Sequence, residues 1–362
     1  MRIAVGLSGG VDSSVAVALL KEQGHEVVGI TMSLWREGRY RGGCGDACFG
    51  PHEAEDIAAA RELCVQLGIP YYVFDCSDAY EKTVLDYFRE EYLAGRTPNP
   101  CVRCNSSMKF GLLPRLARES GLAFDSFATG HYARVVHHNG RWHLLRGVDE
   151  AKDQSYFLYR LTQEQLSGIL FPLGELRKAD VRSLASRFGL DVKDKPESQD
   201  FYSGDKGELM QTPPRQGNIV DETGRVLGTH QGHWNYTIGQ RRGLGVSSTQ
   251  PLYVVDINAC RNEVVLGTVE KLRASQIQLA DCHWISGAPL KGNVLAKIRS
   301  TAQPAPAQFS DDVLIFMDGA SAAARGQSAV LYEGDEVLGG GVIQRIIKKN
   351  ESLEQPCPSY MQ

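Results

Sequence analysis

The sequence predicts an α/β fold, a mostly parallel sheet with helices on both faces, followed by two small mostly-β domains. Three observations carry this. Strand-like and helix-like segments alternate at the start of the chain, and a glycine-rich turn joins the first strand to the first helix. From Pro213 onward the chain breaks into short strands, with turn residues every eight to twelve positions.

The early strands are "RIAVGLS", "EVVGITMSLW", "PYYVFDC" and "DSFATGHYARVV". Between them lie helical patterns over Val11 to Glu22, Ala54 to Leu67, Tyr80 to Leu93 and Lys109 to Glu119. In the first, Val15, Leu19 and Leu20 share a face and Gly24 is a stop signal. Gly68 and Pro70 close the second. "HHNGRW" reads as a hairpin turn. Helical stretches are expected over Gln154 to Leu170 and Lys178 to Phe188. Domain boundaries fall near 210 and 273, giving units over 1–210, 211–273 and 274–350 and a tail over 351–362.

With 362 residues, 42% of them hydrophobic and 23% charged, the chain has the make-up of a multi-domain globular protein. No apolar run is long enough for a bilayer, and "MRIAVGLSGG" turns glycine-rich and acidic too early for a signal peptide. A cytoplasmic protein with no membrane association is expected. Nine cysteines, an odd count spread over a long chain, do not form a secreted disulfide framework. The net charge of −4 points to no nucleic acid by itself, so such a partner has to be argued from particular residues.

In "LSGGVDSS", Gly9 and Gly10 allow a sharp turn and close approach to a ligand. Amides there and at the helix start would converge where the helix dipole favours an anion. Ser8, Ser13 and Ser14 add hydroxyl donors, and Asp12 suggests magnesium or an N-cap role. The plain alternative is a glycine turn with a serine cap. In "GRTPNPCVRCN", Cys101 and Cys104 flank Arg103, whose charge would favour the thiolate. Half of a zinc knuckle is the structural alternative. Cys44 and Cys48 of "GGCGDACFG" complete four candidate ligands for zinc or an iron–sulfur cluster. The other cysteines read as packing residues, and His137 and His138 as exposed.

"SGGVDSS" after a first strand resembles the PP-loop of the N-type ATP pyrophosphatases, which split ATP into AMP and pyrophosphate on a Rossmann-like sheet. Together with "GRTPNPCVRCN", "ATGHYAR", "KDQSYFL" and "YTIGQRRGLG", it resembles the bacterial tRNA-specific 2-thiouridylases over essentially the whole chain. The resemblance implies ATP-dependent replacement of the C2 oxygen of a tRNA wobble uridine by cysteine-borne sulfur. ATP would be held by Gly6, Leu7, Ser8, Gly9, Gly10, Val11, Asp12 and Ser13, by Met32 near the adenine and by Gly130 of "ATGH". Asn99, Pro100 and Cys101 would face the target base, with His131 beside the tRNA. Lys152, Asp153, Gln154, Arg299, Ser300 and Gln327 would touch tRNA.

Cys104 falls where that family has its nucleophile. Two positions depart: Cys101 stands where better-known members carry aspartate, and Tyr202 where they carry the persulfide cysteine. A phenol carries no sulfane sulfur, which makes Cys101 a candidate sulfur carrier. The implied cofactors are ATP and Mg2+, with an iron–sulfur cluster or zinc as candidates. The implied partners are tRNA and a sulfur-donating protein relay, for a monomer. Arg241, Arg242, Lys297, Arg299, Arg345, Lys348 and Lys349 are candidate phosphate contacts on one face. The competing readings are another PP-loop synthetase acting on a small molecule, and a non-catalytic, metal-dependent RNA-binding protein.

Overall fold

The computed structural model describes residues 1–43, 47–190 and 200–348. Five parallel strands form the first sheet, in the order Tyr71–Asp75, Glu26–Ser33, Arg2–Gly6, Ser126–Thr129 and Ile169–Leu170. Ile3, Ala4 and Val5 of its central strand are all fully buried. A parallel strand covered on both faces has no solvent side on which to place polar residues. The chain steps outward to Tyr71 on one side of that strand, then returns to add Ser126 on the other. Open α/β sheets bind ligands at such a reversal, beyond the carboxyl ends of the two strands that flank it.

Helices pack where the apolar pattern places them. Val11–Glu22 buries Val15, Ala16 and Val17 completely against the sheet and against Val181 and Ala185 of the helix Lys178–Arg187. The second helix, Glu53–Leu67, starts one residue before the expected Ala54 and closes at Gly68 in the left-handed region. The third begins at Ser77 and carries a π-helical stretch, Glu81–Leu85. The helix expected from Lys109 starts at Pro100, since Asn99 accepts the Val102 amide at 3.3 Å and proline suits a first turn. It runs through a π-helical stretch, Cys104–Leu112, to Glu119.

Two expectations fail for tertiary reasons. Gln154 to Leu170 is not one helix but a 3-10 turn Ser155–Phe157, a short helix Gln163–Ser167 and the edge strand Ile169–Leu170. Tyr156, Leu158, Tyr159 and Leu161 are all buried between the sheet and the distal β unit, which one helical face does not allow. Asp153 fixes the turn by accepting from the Ser155 amide at 3.0 Å, and a capping box at Thr162 restarts the helix. "DSFATGHYARVV" is not one strand either. Ser126–Thr129 stays in the parallel sheet, whereas Ala133–His138 forms a hairpin with Arg141–Arg146. Asn139 and Gly140 make its tight turn, both at positive φ. That hairpin joins the C-terminal sheet through Leu144 opposite Val337.

Strands Val226–His230, Gly217–Asp221, Glu263–Gly267 and Tyr253–Asn258 form a four-stranded sheet around Ile219, Val254, Ile257 and Val264. Six antiparallel strands from Arg273–Trp284 to Glu336–Ile347 then close into a barrel, the last pairing back on the first. Closure removes the open edge of the sheet.

Gly130 lies where the fourth sheet strand meets the first helix. A Cβ there would sit 2.7 Å from both the Asp12 carbonyl carbon and the Ser13 nitrogen, backbone atoms that cannot turn aside. Gly130→Ala is therefore expected to cost about 1–3 kcal/mol and to lower the thermal midpoint by several degrees. An unchanged melt would show that the two backbones part freely.

Candidate functional site

The loop after the first strand is shaped by what surrounds it. Gly9 has φ +69° and faces the Asp56 backbone, whose oxygen would be 2.6 Å from a Cβ. Only glycine meets both conditions. Leu7 is fastened to the second strand, its amide donating to Ile30 O at 2.9 Å and its carbonyl accepting from Thr31 Oγ1 at 2.8 Å. Ser13 and Ser14 turn their hydroxyls onto the Gly10 carbonyl, at 3.1 and 2.9 Å. The Ser8 amide donates to Ser13 Oγ at 3.3 Å. The helix N-cap is Gly10, with no side-chain cap, so the serine-cap alternative is not what the loop is built for. First-turn amides have no partner within their own helix, the general setting in which helix starts receive anions.

Asp12 is not the N-cap. Its carboxylate receives Lys178 Nζ at 2.7 and 2.9 Å and Tyr132 OH at 2.8 Å. Sequence reading missed both partners. Lys178 was visible only as the first residue of a helix, and nothing local pairs positions 12 and 178.

Met32 is half-buried at the end of the second strand. His131 is buried, with Nδ1 2.8 Å from Thr129 Oγ1 and its ring between Phe110 and Phe171. Burial, aided by the charge of Lys109, holds its pKa well below the ordinary histidine range, so the ring is neutral.

Cys101 and Cys104 lie three residues apart on one helical segment and so share a face. Both are half-buried. The expected help from Arg103 is not there: its guanidinium lies 4.5 Å from the Tyr87 ring centroid. Burial instead pushes the Cys104 thiol up to about 11, only partly opposed by Lys109. Cys104 packs on the same aromatic cluster as Tyr202, together with Phe49, Tyr80 and Phe88. The Tyr202 hydroxyl donates to Glu208 Oε2 at 2.5 Å, and the Gly42 amide donates to the same oxygen at 3.2 Å. Tyr202 is thus a packed, hydrogen-bonded aromatic beside the cysteines. Cys48 is exposed and within electrostatic reach of Cys104, and Cys44 lies outside the described residues. Among the described residues, no three of histidine, cysteine, aspartate and glutamate are grouped to hold a metal ion. The four-cysteine metal centre expected from Cys44, Cys48, Cys101 and Cys104 therefore has no such group among its described members.

The segment in front of Cys101 is clasped by the other two units. The Thr97 amide donates to Arg325 O at 2.7 Å, and Gln327 Nε2 donates to Thr97 O and Pro98 O at 3.2 and 2.8 Å. Gly95 packs on Ile257 and Ala259. Asn99 is buried and its amide donates to Tyr87 OH at 3.2 Å. Pro100 follows half-buried as the first helical residue.

Several residues expected on tRNA turn inward. Asp153 accepts from the Gly147 and Ser155 amides, and Gln154 Oε1 accepts from the Tyr132 amide at 2.9 Å. Arg299 donates to Ala322 O and Ile238 O at 2.8 and 2.6 Å. Lys297 is buried, with Nζ 6.0 Å from the Tyr156 ring centroid. Lys152, Ser300, Arg345 and Lys348 are half-buried, Arg241 and Arg242 are exposed, and Lys349 lies outside the described residues.

Comparison with known proteins agrees along the whole chain. A family model described as a tRNA methyl transferase HUP domain matches residues 1–202. Others, described as a tRNA methyl transferase PRC-barrel domain and an aminomethyltransferase beta-barrel domain, match residues 209–268 and 274–343. The tRNA-specific 2-thiouridylase MnmA of Endomicrobium trichonymphae is 48% identical over 356 residues, covering 95% of this chain and 99% of its own. The protein of the same name from Geobacter metallireducens is 45% identical, covering 94% of this chain and 96% of its own.

Two measurements check the site. Iodoacetamide labelling of Cys104, read by mass spectrometry, should be slow at neutral pH and climb until the pH nears 11, where the thiol ionises; a plateau below pH 9 would contradict the buried thiol. Gln327→Ala removes the clasp on Thr97 and Pro98, and should speed labelling of Cys101 severalfold while the barrel still melts cooperatively.

Proposed function

The chain belongs to the tRNA-specific 2-thiouridylases, and from that premise we propose that it uses ATP to replace the C2 oxygen of the tRNA wobble uridine by sulfur. The observation that carries the nucleotide step is the uncapped helix start behind Gly9 and Gly10, at the reversal point of the sheet. The family models' descriptions speak of methyl transfer. Two neighbouring thiols on one helical face favour sulfur.

A uracil C2 carbonyl is a poor electrophile, because expelling oxide is unfavourable. Adenylation converts that oxygen into a phosphate ester that leaves as AMP. The first-turn amides, with Ser8 and Ser13, stabilise charge on the departing pyrophosphate. Magnesium, for which Asp12 is the carboxylate at hand, would when bound neutralise part of that charge. Met32 and Gly130 border the nucleotide. Asn99, Pro100 and His131 border the base, which enters unstacked, as a single-stranded loop permits.

Sulfane sulfur arrives from a donor protein and rides on Cys101, in place of the cysteine that Tyr202 displaces. The terminal sulfur of the Cys101 persulfide attacks C2 as AMP leaves. The Cys104 thiolate then attacks the Cys101 sulfur, releasing 2-thiouridine and leaving a Cys101–Cys104 disulfide. An external dithiol reduces it, two electrons per turnover. The units over 211–273 and 274–350 hold the tRNA body, with exposed Arg241 and Arg242 as phosphate contacts. The reaction is placed in the cytoplasm.

Cys101→Ser separates the steps. Pyrophosphate release from ATP, stimulated by tRNA, should persist, while 2-thiouridine measured by mass analysis of the tRNA is lost. Full thiolation by this variant would remove Cys101 from the sulfur path, and absence of tRNA-stimulated pyrophosphate release in the unmodified protein would overturn the adenylation step.

A further inference from the structure

We propose that Lys178 is an exchangeable counter-ion of the nucleotide site, neutralising Asp12 in the free chain and passing its ammonium to the triphosphate when that binds. This rests on the nucleotide reading above and adds a positively charged residue to it.

Four observations lead there. Lys178 is nearly buried, its side chain 10% exposed, yet it is spent on a carboxylate that Tyr132 already serves. It is the first residue of its own helix, where the macrodipole disfavours a cation and favours an acid. A lysine at that place is explained by an anion nearby; Asp12 is one, and the start of the Val11–Glu22 helix, read above as the nucleotide site, would hold another. Its backbone is anchored independently, the amide donating to Asp149 Oδ2 at 2.9 Å, so the ammonium can move without the helix moving. Its Nζ lies 5.7 Å from the Tyr132 ring centroid, on a flexible four-carbon stem.

Asp12 sits in the first turn, among the amides that would receive phosphate. A carboxylate and a triphosphate share that turn only with a cation between them. Lys178 is the cation already touching Asp12. As the phosphate accepts its hydrogen bonds, the Asp12 carboxylate is released and becomes available to the magnesium that accompanies the nucleotide. The exchange makes and breaks no covalent bond.

Calorimetric titration of ATP into the full chain, with EDTA and then with magnesium, tests this without relying on turnover. Lys178→Met should weaken magnesium-free binding by about tenfold or more, the loss of a charge-assisted hydrogen bond. Asp12→Asn removes the carboxylate charge that holds the ammonium and should strengthen magnesium-free binding, and the gain should vanish when both substitutions are combined. Lys178→Arg should recover part of the affinity. If Lys178→Met binds ATP as the unmodified chain does, or the Asp12→Asn gain survives in the double variant, Lys178 is a fixed strut and the proposal falls. Should Lys178→Met not fold, Lys178→Gln takes its place, and an unchanged affinity for Asp12→Asn alone would also overturn it. Absence of ATP binding by the unmodified chain in every condition would instead overturn the nucleotide reading itself.

Discussion

Three backbones meet within van der Waals contact around residues 9 to 13, and the rest of the catalytic unit is arranged to let them. Gly9 lies against Asp56 of the second helix, and Gly130 against Asp12 and Ser13 of the first. Neither contact leaves room for a Cβ. The approach of the second helix is held by Glu53, whose carboxylate accepts from the Leu34 amide at 2.7 Å and from Ser33 Oγ at 2.8 Å. Burial raises the Glu53 pKa even so. The result is a helix start held between two other backbones. A fixed set of dipoles needs no reorganisation when charge develops.

The second constraint acts on the cysteines. Residues 95 to 99 belong to no regular element, yet all three units touch them. Ile257 and Ala259 pack on Gly95, Arg325 and Gln327 bind Thr97 and Pro98, and Tyr87 binds Asn99. His233 adds a further tie, its Nε2 3.2 Å from the Tyr92 and Leu93 carbonyls. A loop presenting a reactive thiol gains precision when rigid elements on several sides clasp it. The β units therefore help to fix the segment that carries Cys101. Gln327 illustrates this, being spent on the Thr97 and Pro98 carbonyls of the first unit, while Arg299 ties its own unit to the central one through Ile238 O.

Charge and burial oppose one another at Cys104. An arginine one residue away suggested an activated thiolate, but position along a helix decides which way a side chain points. Arg103 turns out over Tyr87 while Cys104 turns in toward Tyr80 and Tyr202. Desolvation then dominates, and the thiol stays protonated. A cysteine kept as a thiol reacts slowly with oxidants, because the thiolate is the reactive form.

Read alone, the amino-acid sequence determined the parallel sheet, the first two helices and the glycine loop, because those depend on local periodicity and on turns that only glycine accepts. It also delivered the C-x-x-C pair and, through its resemblance, the family. It did not reveal the partners of Asp12, the inward turn of Lys297 and Arg299, or the sharing of "DSFATGHYARVV" between two sheets. Those depend on which distant surfaces pack together. Positions 12 and 178, like 97 and 327, are neighbours only after the chain has closed, and no local pattern encodes that. Tertiary packing likewise broke the helix expected over 154–170, since burying Tyr156, Leu158, Tyr159 and Leu161 together outweighed helical periodicity.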